Sequence, residues 1–130
     1  MLAVDTNVIV RYLTADDAAQ FAKASALIRS EEVYVSATVK LESEWVLRSV
    51  YGYPPARLVE AFRALAGLPR VTLEDPSSIA TALDWMERGL DFADALHLAK
   101  ASECEAFISF DRRLAALANR IGTVRVRLPR

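Results

Sequence analysis

Five short runs, four mainly apolar and the last alternating apolar with basic, are separated along this chain by longer stretches in which apolar residues recur every three or four positions. The runs are Leu2–Val4, Val33–Val35, Val71–Leu73, Ala106–Phe110 and Val124–Leu128. Runs of that length suit strands, and the stretches between them suit amphipathic helices. Strands separated by helices are joined by crossovers, which favours parallel pairing. The pattern therefore predicts an α/β fold of three layers, with a mostly parallel central sheet flanked by helices.

The helical stretches carry their own boundaries. A turn at Thr6-Asn7 leads into a short helix with Val8, Ile9, Val10, Tyr12 and Leu13. Asp16 and Asp17 open a second, in which Phe21, Ala24, Leu27 and Ile28 fall at helical spacing. Ser36 is the expected N-cap of a third, whose apolar stripe is Val39, Trp45, Val46 and Val50. Pro54-Pro55 starts a helix with Leu58, Phe62 and Leu65 inward and Gly67 at C′, and Pro76 leads into another with Ile79, Leu83 and Met86, closed by Gly89. Leu114, Leu117, Ala118 and Ile121 mark the last helix, which Gly122 ends. Val124–Leu128 alternates apolar and basic residues, as a half-buried edge strand does.

No repeat, low-complexity tract or linker interrupts the 130 residues, so residues 1–130 are expected to form a single domain. A hydrophobic fraction of 53% is high for so small a chain and points to a covered surface, in a homodimer or against a protein partner. Cys104 is the only cysteine, which excludes an internal disulfide and a thiolate zinc cluster. With no apolar stretch of membrane-spanning length, the expected setting is the cytoplasm, with no membrane association.

Chemistry concentrates in the acids. Asp91 suits the N-cap of a helix running through Ala95, Leu96, Leu98 and Ala99, which places Asp94 at N3, among free backbone N–H groups. Asp5 and Asp111 each follow a strand, where open α/β sheets bind ligands. Glu42 falls on the apolar stripe of its helix, and an acid there needs a reason because unpaired burial is costly; Glu44 points about 200° away and reads as solvated. Oxygen-only ligands of this kind select Mg²⁺ or Mn²⁺. The plainer reading makes Asp91, Asp94 and Asp111 ordinary helix-start acids. His97 and Cys104 are too few for a nucleophile–histidine mechanism, and no glycine-rich phosphate loop is present. The net charge of −1 gives no global pull on nucleic acid, but an acidic metal site in a mildly basic surround suits a phosphodiester.

Four blocks carry a family resemblance: M-L-A-V-D-T-N-V-I-V-R-Y-L, L-E-S-E-W-V-L-R, D-F-A-D-A-L-H-L-A and F-I-S-F-D-R-R-L. In this order they resemble PIN-domain proteins, especially the VapC toxins of bacterial toxin–antitoxin pairs, over essentially the whole chain. The resemblance implies a PIN fold and Mg²⁺- or Mn²⁺-dependent endoribonuclease activity, with in-line displacement of the 3′ oxygen. It also implies neutralisation by a small VapB-like antitoxin. The family's acidic quartet falls on Asp5, Glu42, Asp94 and Asp111, with Glu42 identified by standing three residues before Trp45. Asn7 and Ser109 match supporting polar positions, and Asp91 a frequently acidic one that assists the metal or caps the helix. Arg11, Arg48, Arg112 and Arg113 are candidates for RNA phosphate contacts, against the plainer reading of solvated surface charge.

Two alternatives belong to other classes. A receiver-like or haloacid-dehalogenase-like phosphoryl-transfer protein also places acids at strand ends. The first wants an adjacent acidic pair near strand one and a late lysine, and the second wants Asp-x-Asp where this chain has Asp5-Thr6-Asn7. A non-catalytic binding module would keep the fold without needing the quartet.

Overall fold

The computed structural model describes residues 1–130, which divide into two compact units, Met1–Pro76 and Ser77–Arg130. The first unit runs β1 (Leu2–Ala3), α1 (Thr6–Thr14), α2 (Ala18–Ser30), β2 (Val33–Val35), α3 (Ala37–Ser49), α4 (Pro55–Ala66) and β3 (Val71–Leu73). Its strands form a parallel sheet in the order β1-β2-β3, with Leu2 opposite Val33 and Val33 opposite Val71. The second unit holds α5 (Pro76–Glu87, whose first residue closes the first unit), α6 (Phe92–Lys100), β4 (Phe107–Ile108), α7 (Arg112–Ile121) and β5 (Val126–Arg127). Here β4 and β5 pair in parallel, Phe107 opposite Val126. The α/β class and the parallel pairing are those the alternation predicts.

Capping explains where the helices begin. The Asp5 carboxylate accepts from the Thr6 N–H at 2.7 Å, so α1 starts directly at Thr6 and absorbs the expected turn at Thr6-Asn7. Asp17 alone caps α2, accepting from Gln20 N–H at 3.0 Å, and Ser36 caps α3 through Val39 N–H at 3.2 Å. Such caps each contribute about 1 kcal/mol. Pro55 occupies the first turn of α4, where its missing N–H costs nothing. Gly122 ends α7 at φ 91°, a left-handed position that favours glycine. Gly67 differs from expectation: it is the C-cap of α4 at φ −81°, an ordinary helical conformation.

The inward faces of α4 and α5 carry Leu58, Phe62 and Leu65, and Ile79, Leu83 and Met86, all buried as predicted. On α3 the expectation reverses. Its buried residues are Lys40, Ser43, Glu44 and Leu47, whereas Glu42, Trp45 and Val50 are exposed. The inward charges have partners that hydropathy does not reveal. Lys40 is fully buried and its Nζ donates to the Glu74 carbonyl at the end of β3. The Glu74 carboxylate accepts from Tyr34 Oη at 3.0 Å and from Ala37 N–H at 3.2 Å. Glu44 pairs with Arg48 at 2.9 Å, one helical turn on. A buried charge with donors and acceptors in place is tolerated where an unpaired one is not.

The run Ala106–Phe110 is also less buried than a core strand. Only Phe107 and Ile108 are in β4, and Phe110 is 83% exposed. Val124–Leu128 contracts to β5, with Val126 buried and Arg127 half-buried, which keeps its half-buried character.

Candidate functional site

The sequence-predicted acids fall into two groups, one in each unit. In the first unit, Asp5 stands between β1 and α1, exposed, with one carboxylate oxygen on the Thr6 N–H. The Thr6 side chain is buried, and its hydroxyl donates to Glu42 Oε1 on α3. One residue thus ties together the two acids of this unit, through its main chain to Asp5 and its side chain to Glu42. Sequence reasoning assigns Thr6 only to a turn; the signal available is a hydroxyl residue directly after a strand-end Asp, where it occupies N1 of a helix. Asn7, exposed, lines a separate recess of ≈ 240 Å³ between α1 and α2 with Val8, Arg11, Gln20 and Leu27.

In the second unit, Asp91, Asp94 and Asp111 line one cavity of ≈ 510 Å³ together with Arg113, Leu117 and Arg120 of α7. Asp91 is the N-cap of α6 by backbone conformation, yet its side chain makes no cap hydrogen bond. Its carboxylate is therefore not engaged by the helix it precedes. Asp94 sits in the first turn, half-buried. Burial pushes the Asp94 carboxyl above the usual 3.8, the charges of Asp91 and Asp111 push it further, and His97 opposes them. Asp111 does cap its helix, accepting from Leu114 N–H at 3.0 Å. Its own N–H donates to Ser109 Oγ at 3.0 Å, so Ser109 fixes the main chain that presents the Asp111 carboxylate. The carboxylates line the cavity without converging: in neither unit do three or more acidic, histidine or cysteine side chains meet at metal-holding distance.

The four candidate arginines behave differently. Arg11 is held by Asp16 at 3.0 Å, by Tyr51 Oη at 3.0 Å and by Gln20 at 2.6 Å. Arg48 is held by Glu44. Arg112 and Arg113 are exposed at the start of α7, and Arg113 lines the acidic cavity.

No helix is long and apolar enough to cross a membrane. Among solved structures, VapC20 of Mycobacterium tuberculosis, described as a sarcin-ricin loop cleaving toxin, is 26% identical, with 98% of this chain and 99% of that chain covered. The TM-score of that superposition is 0.43. No curated protein matches the chain significantly. The family model for the PIN domain matches residues 2–120, nearly the full length. This chain belongs to the PIN domain family.

Proposed function

We propose that this chain is a divalent-metal-dependent endoribonuclease, the toxin of a type II toxin–antitoxin pair acting in the cytoplasm. The observation that carries the reading is the acidic cavity of the second unit: three aspartates of one sign, one of them left free by its helix and another with a raised pKa. A fold that gathers like charges in this way favours a cation. Membership of the PIN family supports the same reading.

The donors fit a hard divalent ion, because every acid concerned offers carboxylate oxygen. The proposed ligands are Asp5, Glu42, Asp94 and Asp111, with Asp91, Asn7 and Ser109 in support. When bound, Mg²⁺ or Mn²⁺ supplies Lewis-acid stabilisation of the scissile phosphate. The chain's own groups do the rest. Ser109 and the Leu114 N–H orient Asp111, and Thr6 orients Asp5 and Glu42. Burial and the charges of Asp91 and Asp111 disfavour the ionised form of Asp94, and a bound cation would offset that cost. Among the four candidate arginines, Arg112 and Arg113 are the proposed phosphate contacts, since Arg11 and Arg48 already have acidic partners within the chain.

The proposed partners are RNA as substrate, a second copy of the chain, and a small antitoxin. The antitoxin would bring an apolar segment and at least one basic residue, whose charge would compete with the metal for carboxylates. The test is RNA cleavage by purified protein. Chelator abolishes it and Mg²⁺ or Mn²⁺ restores it, while full activity after thorough metal removal would refute the reading. Mapping new 5′ ends after induced expression, against an Asp5→Asn control, identifies the RNA.

A further inference from the structure

On α7, Arg113, Ala116, Leu117 and Arg120 lie at i, i+3, i+4 and i+7 and line the same ≈ 510 Å³ cavity as the three aspartates. Both arginines are exposed. Pairs elsewhere in the chain engage Arg11, Arg48 and Arg70; Arg113 and Arg120 take part in none of these. A polyanion approaching three carboxylates is repelled, and two guanidinium groups lining the same cavity offset that repulsion at short range. Seven residues of helix set the two side-chain origins about 10 Å apart along the axis. That span is too long for both to grip one phosphate and suits two phosphates of one strand. A backbone drawn into a cavity, rather than laid on a flat face, has left the stacked duplex.

We propose that Arg113 and Arg120 form a phosphate track for single-stranded RNA along α7, holding phosphates that flank the one presented to the acids. The proposal rests on the endoribonuclease reading and adds Arg120, which lies in the last turn of α7 and which no sequence motif singles out. Acidic protein segments are the less suitable occupant, because a carboxylate side chain gains nothing from the aspartates that line the cavity, whereas a phosphodiester would be the substrate of a metal held there.

The experiment measures binding rather than turnover. Full-length protein carrying Asp94→Asn, which prevents cleavage, is titrated against a labelled single-stranded RNA of mixed sequence in Mg²⁺ at several salt concentrations. Each cation that grips a phosphate of a single strand adds about 0.7 to the steepness with which log K falls against log salt, so neutralising that cation removes the same amount. Arg120→Gln and Arg113→Gln each produce that reduction, and together roughly twice it. Arg120→Lys keeps the slope, which separates charge from packing. Arg70→Gln, on the other unit and paired with Glu32 at 3.3 Å, leaves it unchanged. A slope indifferent to Arg120→Gln, or one reduced equally by Arg70→Gln, overturns the track alone. Absence of RNA binding at every salt concentration overturns the track and the endoribonuclease reading together.

Discussion

Asp16 in the first unit and Asp94 in the second are both carboxylates near a helix start, yet their surroundings push them in opposite directions. Asp16 accepts from Tyr51 Oη at 2.6 Å, from Thr14 Oγ1 at 2.9 Å and from Arg11 Nη1 at 3.0 Å. The Tyr51 bond above all, with help from Thr14 and Arg11, holds its pKa below 3.8. These bonds clamp the turn between α1 and α2, where Ala15 sits at φ 53°, a left-handed conformation that costs a non-glycine residue about 1 kcal/mol. Asp94 has the reverse setting, with burial and two neighbouring acids raising its pKa. One region uses a charge to fix the chain. The other brings like charges near one another, which disfavours the ionised form of Asp94.

The contrast breaks most visibly in activity. Asp94→Asn should reduce metal-dependent RNA cleavage by at least about 10²-fold, whereas Asp16→Asn should stay within a few-fold of the parent. Comparable losses from both would erase the distinction. A third charge sharpens it: Lys40, fully buried on the Glu74 carbonyl, is structural in the manner of Asp16 but without solvent to soften its loss. Lys40→Ala should cost about 2–4 kcal/mol in denaturant unfolding, from poorer packing and a missing charge-assisted bond. An unchanged unfolding midpoint would mean that Lys40 does not anchor α3.

Smaller effects separate function from stability. In chelator, Asp94→Asn should leave stability unchanged or raised, by no more than about 1 kcal/mol, since one pKa unit is worth that before solvent screening reduces it. Asn preserves the shape at N3 while removing one of three like charges. In excess Mg²⁺ the order should narrow or reverse, because the parent gains binding free energy that the variant lacks. A variant several kcal/mol less stable in chelator would make Asp94 a structural residue first.

The two carboxylates should also leave opposite marks on pH dependence. A raised folded-state pKa means the native state binds the proton more tightly. Asp94 therefore contributes stability that is present below 3.8 and lost as pH rises through the folded value. Asp16, with a lowered pKa, contributes stability present above 3.8 and lost as pH falls through its folded value. Unfolding curves in chelator should show the advantage of Asp94→Asn over the parent growing as pH rises above 3.8, and the deficit of Asp16→Asn shrinking as pH falls from 3.8 through its folded value. The same pH trend for both variants would contradict the comparison.

Much of this was legible in the sequence, where local chemistry decides the outcome. Asp17, Ser36 and Asp111 cap the helices that follow them, and the inward faces of α4 and α5 follow their apolar spacing, because caps and amphipathic periodicity act within a few residues. The face of α3 was not legible. Its hydropathy favours Val39, Trp45 and Val50 as inward, while the fold turns Lys40 and Glu44 inward. The reason is tertiary: Lys40 meets Glu74 thirty-four positions away, a partner that no periodicity reveals. Glu42 illustrates the same limit. Its placement on an apolar stripe was the physical argument for singling it out, yet Glu42 is exposed there with Trp45 and Val50; what marks it in the structure is the Thr6 hydroxyl. At Asp91 the sequence offered two readings, cap or ligand. The missing cap bond leaves its carboxylate free for the second.

The most direct test is calorimetric titration of Mn²⁺ into the chelator-treated parent, Asp94→Asn and Asp16→Asn at neutral pH. The parent and Asp16→Asn should bind the ion with similar affinity, and Asp94→Asn should bind it at least about tenfold more weakly, in keeping with the loss of a ligand or its immediate support. Equal binding by all three proteins, or binding lost with Asp16 rather than Asp94, would contradict the claim that the acids of the second unit are gathered for a cation.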